Sequence, residues 1–280
     1  TPWHVRSEGI RSLEKGRTFY TSNSGLIELR QEICKWYQRK YNVLYDYKTE
    51  ALLTVGGSEG IDVALRAMLD PGDEVIIPEP CYVSYVPCVQ LIGAVPVTIE
   101  LKNENQFRLT PEELLAAITD KTKILILAFP SNPTGAVMTK EDLEPIAKIC
   151  QEKDIYVISD EIYSELTYGG QKHCSISSLP GMKERTIVIN GFSKAYAMTG
   201  WRLGYALAPE VIAHQMTKIH QFAIMCAPTT SQYAAIEAIK NGDADIEKMC
   251  KSYDQRRRFL LKKFEEIGLP CFEPHGAFYV

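Results

Sequence analysis

Residues 186–207 read TIVINGFSKAYAMTGWRLGYAL, which is two apolar runs separated by a segment that holds a lysine, with an arginine at the start of the second run. The runs Thr186–Asn190 and Arg202–Leu207 have the length and apolar content of buried strands. Strands that are apolar at nearly every position are typical of parallel sheets covered by helices on both faces. Lys194 is therefore expected just past the end of one strand, and Arg202 at the start of the next.

The alternation of strands and helices continues along the whole chain. Leu29, Ile33 and Trp36 share one face of a predicted helix, and Thr110 with Glu113 predicts a capping box at the start of another. This alternation predicts an α/β fold with a mostly parallel seven-stranded sheet sandwiched by helices. The predicted strands are Ala51–Val55, Glu74–Pro78, Val95–Glu100, Lys123–Phe129, Ile155–Asp160, Thr186–Asn190 and Arg202–Leu207.

A long polar helix, expected from about Asp243 to Ile267, marks a domain boundary. We expect residues 1–250 to form a large domain and residues 251–280 to begin a smaller α/β domain. Both ends of the chain look cut, because it starts at Thr1 without a methionine and stops inside an expected strand at residues 277–280. A longer natural protein is therefore expected.

The composition narrows the classes of function. The 280 residues carry a formal net charge of -4, which argues against a nucleic-acid partner. No apolar run approaches the ~20 residues that a membrane-spanning helix needs, and the five histidines lack the spacing of metal ligands. The eight cysteines contain no Cys-x-x-Cys pair, so we interpret them as small buried hydrophobes in a reducing, cytoplasmic compartment.

Ligands of open α/β sheets bind at the carboxyl ends of the strands, so polar residues just past these ends are candidates for a site. Lys194 would be an amine nucleophile if a cleft lowered its pKa. Asp160 and Tyr163 follow one predicted strand, and Asn132 follows another. Each residue also has an ordinary interpretation, as a solvated lysine, a surface cap or part of a turn.

Two further segments favour an anion. The segment Gly56-Gly57-Ser58-Glu59 leads from a strand into a helix whose free N–H groups attract phosphate, although a tight turn explains it equally well. Arg202 has the planar fork that clamps a phosphate, or it is an ordinary ion-pair partner. The glycine spacing matches neither the P-loop nor the dinucleotide fingerprint, which argues against a nicotinamide dehydrogenase.

Three motifs follow one another along the chain: Asn132-Pro133-Thr134-Gly135, Asp160-Glu161-Ile162-Tyr163, and Ser193-Lys194 with Arg202 downstream. In this combination the sequence resembles the class I/II aminotransferases, which are fold-type-I enzymes that use pyridoxal 5'-phosphate, and in particular their aspartate aminotransferase-like members. The resemblance covers the whole chain. It implies that residues 1–250 are the cofactor-binding large domain and that residues 251–280 begin the small domain.

The resemblance implies a role for each motif residue, with Lys194, Asp160 and Tyr163 as the catalytic residues. Lys194 carries the cofactor as a Schiff base and then moves a proton at the substrate carbon. Asp160 pairs with the ring nitrogen and keeps it protonated, which makes the ring an electron sink. Tyr163 and Asn132 hydrogen-bond the phenolic oxygen of the ring, and Tyr82 stacks on its face.

The resemblance also implies a phosphate site and a dimer. Tyr20 resembles the tyrosine that reaches the phosphate of the neighbouring subunit, which implies a homodimer with shared active sites. Many members have a serine three residues before the lysine, where this chain has Gly191. The phosphate-binding residues within one subunit are implied to be Gly57, Ser58, Glu59, Ser193 and Arg202.

The implied reaction moves an amino group between an L-amino acid, with aspartate as the first choice, and 2-oxoglutarate. The same fold also carries aromatic and alanine aminotransferases, C–S lyases and, more remotely, cofactor-sensing regulators fused to DNA-binding regions. The arginine that binds the substrate carboxylate in this family is expected beyond Val280. The chain is therefore expected to hold the cofactor site and to lack part of the substrate site.

Overall fold

A seven-stranded sheet with helices on both faces organises the chain, which a computed structural model describes from residue 1 to residue 280. The strands are β1 (Ala51–Thr54), β2 (Glu74–Glu79), β3 (Val95–Glu100), β4 (Thr122–Leu127), β5 (Tyr156–Asp160), β6 (Thr186–Gly191) and β7 (Gly204–Leu207). The helices are α1 (Trp3–Glu14), α2 (Ile27–Tyr41), α3 (Gly56–Met68), α4 (Tyr85–Leu91), α5 (Pro111–Ala117), α6 (Lys140–Glu152), α7 (Glu210–Ala223), α8 (Thr229–Asn241) and α9 (Asp243–Glu266).

The strands lie in the order β1-β7-β6-β5-β4-β2-β3. Four of the six strand pairs are parallel, and only β7 runs against its two neighbours. Alternate residues of β6 face opposite layers: Val188 packs with α2 and α8, whereas Ile187 and Ile189 pack with α3 and α7. The predicted α/β sandwich with a mostly parallel seven-stranded sheet is confirmed.

The seven predicted strands are all present, and no end differs from its prediction by more than two residues. The last strand begins at Gly204 and not at Arg202, because Arg202 takes the left-handed conformation with φ of 49°. Thr110 forms the predicted capping box with Glu113, which fixes the start of α5.

The prediction of a strand at residues 277–280 is wrong. Ala277 has a φ of 56°, which ends extended structure there, and Gly276 forms only an isolated bridge with Thr167. The interpretation of the cysteines as buried is also largely wrong, because only Cys34 and Cys150 are buried and Cys271 is exposed. None of the helices combines the length and apolar character needed to cross a membrane.

Because β7 is antiparallel to its neighbours, several loops lie at the same edge of the sheet, namely the one formed by the carboxyl ends of the parallel strands. The ends of the parallel strands β4, β5 and β6 lie at that edge, and β7 starts there because it runs the opposite way. The end of β1 lies there too, since β1 is antiparallel to β7, and it leads directly into α3. The segments with candidate site residues therefore converge.

Candidate active site

A cavity of about 260 Å³ lies at this edge of the sheet. Three polar residues that were not predicted, Tyr85, Thr199 and Tyr279, also face it. The sequence-predicted site residues that line it are Gly57, Ser58, Tyr82, Asn132, Asp160, Tyr163, Ser193, Lys194 and Arg202. Segments that are far apart in sequence thus bring an amine, a carboxylate, phenols, an amide and a guanidinium group together.

Asp160 ends β5 and keeps 8% of its surface exposed. Its Oδ2 accepts a hydrogen bond of 2.7 Å from the hydroxyl of Tyr85, and its Oδ1 accepts one of 3.1 Å from the backbone N–H of Ile162. Burial raises the pKa of Asp160, while these two hydrogen bonds and the positive charge of Lys194 lower it. The carboxylate is fixed in position and its charge depends on its neighbours.

Lys194 lies on the connection that follows β6 and is half-buried. Its Nζ lies 5.5 Å from the ring centroid of Tyr163 and 5.3 Å from that of Phe278. Burial lowers the pKa of Lys194, and the positive charge of Arg202 lowers it further, against the opposing effects of Tyr82 and Asp160. At a given pH, a larger fraction of the Lys194 amine is therefore neutral than for a lysine exposed to water, and the neutral amine is the nucleophile.

The phenols around the cavity differ in environment. The hydroxyls of Tyr163 and Tyr279 lie 2.7 Å apart in a hydrogen bond, and burial raises the pKa of Tyr163 above its ordinary value. Tyr82 packs edge-on against Tyr85, with ring centroids 5.7 Å apart. Asn132 lines the cavity and is partly exposed.

Glycines let the start of α3 approach the arginine. A Cβ on Gly204 would lie 2.6 Å from the carbonyl carbon of Gly56, and a Cβ on Gly56 would collide with the guanidinium group of Arg202. Gly56 also has a φ of 77°, which glycine adopts without strain. The first N–H groups of α3 and the guanidinium group of Arg202 therefore lie close together, an arrangement suited to an anion.

The side chain of Glu59 points away from the cavity, although its residue lies in the first turn of α3. One carboxylate oxygen accepts a hydrogen bond from the backbone N–H of Val55, and the other lies 2.7 Å from Nδ1 of the fully buried His220. Only the backbone N–H of Glu59 is thus available to a ligand at this turn.

Tyr20 does not line the cavity of its own chain and is 76% exposed. Its segment is held to the surface beside α7 and α8: Asn23 donates a hydrogen bond of 2.6 Å to Gln221, and Thr229 donates one of 2.7 Å to the carbonyl oxygen of Phe19. The predicted contact of Tyr20 with a phosphate is therefore not made within one subunit.

The structure explains Gly191, where the family pattern often has serine. A Cβ at this position would lie 2.8 Å from the Cα of Gly204 and 3.0 Å from the carbonyl oxygen of Leu203. The tight pairing of β6 with β7 leaves no room for a side chain there.

Two of the unpredicted residues carry different signals in the sequence. Tyr85 follows Tyr82 by three residues, and this spacing places side chains on the same side of a helical turn. That periodicity could have identified Tyr85. Tyr279 has no comparable signal, because its contact with Tyr163 spans more than a hundred residues.

Comparison with known proteins agrees with the fold. The family described as "Aminotransferase class I and II" matches residues 1–280. The aspartate aminotransferase of Pyrococcus abyssi is 44% identical over 282 residues, and aromatic-amino-acid aminotransferase 2 of Thermococcus litoralis is 43% identical over 282 residues; each match covers 100% of this chain and 72% of the relative. The crystal structure of an aromatic aminotransferase from Pyrococcus horikoshii OT3 is similar with a TM-score of 0.97 and 45% identity, over 99% of this chain and 75% of that one. The chain therefore belongs to the class I and II aminotransferases.

Proposed function

We propose that this aminotransferase uses pyridoxal 5'-phosphate and that Lys194 is the residue that binds it covalently. The observation that carries the proposal is the placement of the Lys194 amine and the Asp160 carboxylate in one cavity, next to a helix start and an arginine. An amine nucleophile, a buried carboxylate and an anion cradle are the three groups that this cofactor requires.

The residues present fit the cofactor. The absence of a side chain at Gly56 lets Arg202 lie close to the start of α3, since a Cβ there would collide with its guanidinium group. Gly57, Ser58 and the backbone N–H of Glu59 would bind the phosphate together with Ser193 and Arg202. Tyr82 would pack on the ring face, as an aromatic side chain suited to stacking.

When bound, pyridoxal phosphate supplies an aldehyde for the amino group and a ring that takes up the electron pair left on the substrate carbon. Asp160 would hold a proton on the ring nitrogen, because a buried carboxylate favours a positive charge beside it. Tyr163 and Asn132 would donate hydrogen bonds to the phenolic oxygen and so orient the ring. Lys194, once released, would carry the proton to and from the substrate carbon with Nζ.

An absorbance spectrum of the protein with added pyridoxal phosphate tests the proposal. We expect a visible band that decreases when an amino acid is added and that is absent from Lys194→Ala. The matched control is Lys218→Ala, which removes an exposed lysine on α7. A wild-type protein without the band, or a Lys194→Ala variant that keeps it, would refute the role of Lys194.

For the reaction, we propose amino transfer from an L-amino acid to 2-oxoglutarate, with aspartate as the first donor to test. The aspartate aminotransferase of P. abyssi supports that choice. An aromatic donor is the second candidate, because aromatic side chains surround the amine of Lys194, and because two of the similar proteins are aromatic aminotransferases.

A panel of aspartate, alanine, phenylalanine and tyrosine with 2-oxoglutarate separates these donors by their kcat/KM. If instead a thioether amino acid such as cystathionine is split into a thiol, pyruvate and ammonia without an acceptor, the protein is a C–S lyase. Loss of both reactions with retained cofactor binding would favour a sensor.

We further propose a homodimer in which Tyr20 reaches the active site of the partner subunit. Tyr20 and Phe19 are exposed, and Phe222, which follows the Gln221 that binds Asn23, is 86% exposed, so this surface presents apolar area suited to a second subunit. The division into a large domain of residues 1–250 and the start of a small domain at residues 251–280 is also a proposal, as is the cytoplasmic location. The single helix α9 runs across that division.

A further inference from the structure

The connection between β6 and β7 has a shape that its own residues do not favour. It carries Ser193, Lys194 and Arg202, and two of its residues that are not glycine take the left-handed conformation: Ala197, with φ of 52°, and Arg202, with φ of 49°. L-residues rarely adopt this conformation, so contacts from outside the connection must hold it.

One such contact is the hydroxyl of Thr1. It donates a hydrogen bond of 2.6 Å to the carbonyl oxygen of Ala197 and accepts one of 3.2 Å from the indole N–H of Trp201. A single side chain therefore joins the two ends of the segment from Ala197 to Trp201.

The other contacts hold Trp201 between two helices. The indole lies against Gly9 of α1, where a Cβ would be 2.6 Å and 2.8 Å from two ring carbons. Ser231 of α8 donates a hydrogen bond of 2.7 Å to the carbonyl oxygen of Trp201. Trp201 itself does not line the cavity.

Arg202 is the next residue in the chain, so the position of Trp201 determines where the backbone of Arg202 lies. The guanidinium group of Arg202 donates a hydrogen bond of 3.1 Å to the carbonyl oxygen of Thr199 and lies against Gly56 at the start of α3. That hydrogen bond joins two residues of the same connection, so the backbone conformation from Thr199 to Arg202 helps to set the direction of the guanidinium group.

We propose that Trp201 is a positioning residue for phosphate binding: the indole, fixed by Gly9, Thr1 and Ser231, sets the left-handed backbone of Arg202 and so aims the guanidinium group at the start of α3. The inference rests on the proposed function, because the anion is the phosphate of pyridoxal phosphate. A tryptophan that only filled the core would stabilise the fold without favouring a phosphorylated ligand.

The test compares two ligands that differ only by the phosphate. Dissociation constants for pyridoxal phosphate and for pyridoxal are measured by the visible absorbance of the protein and by equilibrium dialysis. We expect Trp201→Phe and Gly9→Ala to bind pyridoxal phosphate about tenfold more weakly, as for a lost charge-assisted hydrogen bond, with the constant for pyridoxal unchanged. Arg202→Ala should show the same pattern with a larger loss.

Matched controls separate positioning from general damage. Ser7→Ala changes an exposed residue of the same helix as Gly9 and should change neither constant. Thr1→Val removes the bridging hydroxyl and should weaken binding of the phosphorylated ligand, whereas Thr1→Ser keeps the hydroxyl and should restore it. The double variant Trp201→Phe/Arg202→Ala should bind no more weakly than Arg202→Ala alone, because both changes remove one interaction.

Equal losses of affinity for pyridoxal phosphate and pyridoxal would overturn the positioning role while leaving the proposed function intact. Additive losses of affinity in the double variant would do the same. A wild-type protein that binds pyridoxal phosphate no better than pyridoxal would also overturn it. Absence of any binding by the wild type would overturn the proposed function, and this inference with it.

Discussion

The hydroxyl of Tyr85 donates a hydrogen bond of 2.7 Å to Oδ2 of Asp160. Tyr85 is 2% exposed and Asp160 is 8% exposed, so the bond is shielded from water, and it opposes the rise in the pKa of Asp160 that burial causes. Tyr85 thus helps to determine the pH below which the carboxylate of Asp160 loses its charge.

We expect Tyr85→Phe to move the acid limb of the pH profile of kcat/KM to higher pH. Without the hydroxyl, the pKa of Asp160 rises further, so the carboxylate is protonated at a higher pH. Hydrogen bonds to charged groups contribute about 1.5–3 kcal/mol, which corresponds to a shift of about one to two pH units.

The control for this experiment is Tyr45→Phe, which removes the hydroxyl of a tyrosine buried beside α2 that does not line the cavity. Its profile should keep the wild-type acid limb. An unchanged limb in Tyr85→Phe would mean that the hydrogen bond does not tune Asp160.

Lys194 should react with an acylating reagent at lower pH than an exposed lysine, when the cofactor is absent. Burial lowers the pKa of Lys194, so the neutral amine forms earlier as the pH rises. The modification of each lysine can be followed by peptide mass spectrometry, with Lys148, whose side chain is 77% exposed, as the internal reference.

The charge of Arg202 provides a second check on this result. Since that charge lowers the pKa of Lys194, Arg202→Met should move the reactivity of Lys194 to higher pH. Arg39→Met, which removes an exposed arginine on α2, should leave it in place. If both variants behaved alike, the effect of Arg202 would be excluded.

Gly191→Ser should destabilise the protein, even though serine is common at this position in the family pattern. Its Cβ would lie 2.8 Å from the Cα of Gly204, which is backbone and cannot rotate away. Overpacking of this kind costs about 1–3 kcal/mol in the free energy of unfolding. Denaturant titration measures the loss, and Gly200→Ala, whose Cβ would meet nothing within 4 Å, is the control on the connection that follows β6.

Subunit mixing tests the proposed role of Tyr20. Tyr20→Ala and Lys194→Ala should each lack normal sites. In a mixed dimer, however, the Lys194 of one subunit would lie beside the intact Tyr20 of the other. We therefore expect mixing and refolding the two variants to restore wild-type affinity for pyridoxal phosphate at about one site in four. No recovery would place Tyr20 outside the partner's site.

The sequence predicted the sheet well because buried strands are continuous apolar runs. The runs in β4 and β6 need no knowledge of their neighbours to be recognised. The error at residues 277–280 has the opposite cause: that short apolar run is extended only if a partner strand is available, and here Gly276 forms a single bridge.

The candidate site was predictable to the extent that its residues follow strand ends. Asp160 and Lys194 were identified in this way, whereas Tyr279 acts through its contact with Tyr163, which is distant in sequence. The side chain of Glu59 shows the same limit, because its partner His220 lies on α7, far along the chain.

The single reversed strand has a consequence for how this protein could be altered. If β7 were parallel to β6, the chain would have to cross over the sheet between them, and Arg202 would come to lie at the opposite edge from Lys194. In the observed fold, the short connection between β6 and β7 places both Lys194 and Arg202 in the cavity. A recombination or graft that exchanges residues 191–204 would transfer amine and guanidinium as a unit, whereas a junction inside that segment would separate them.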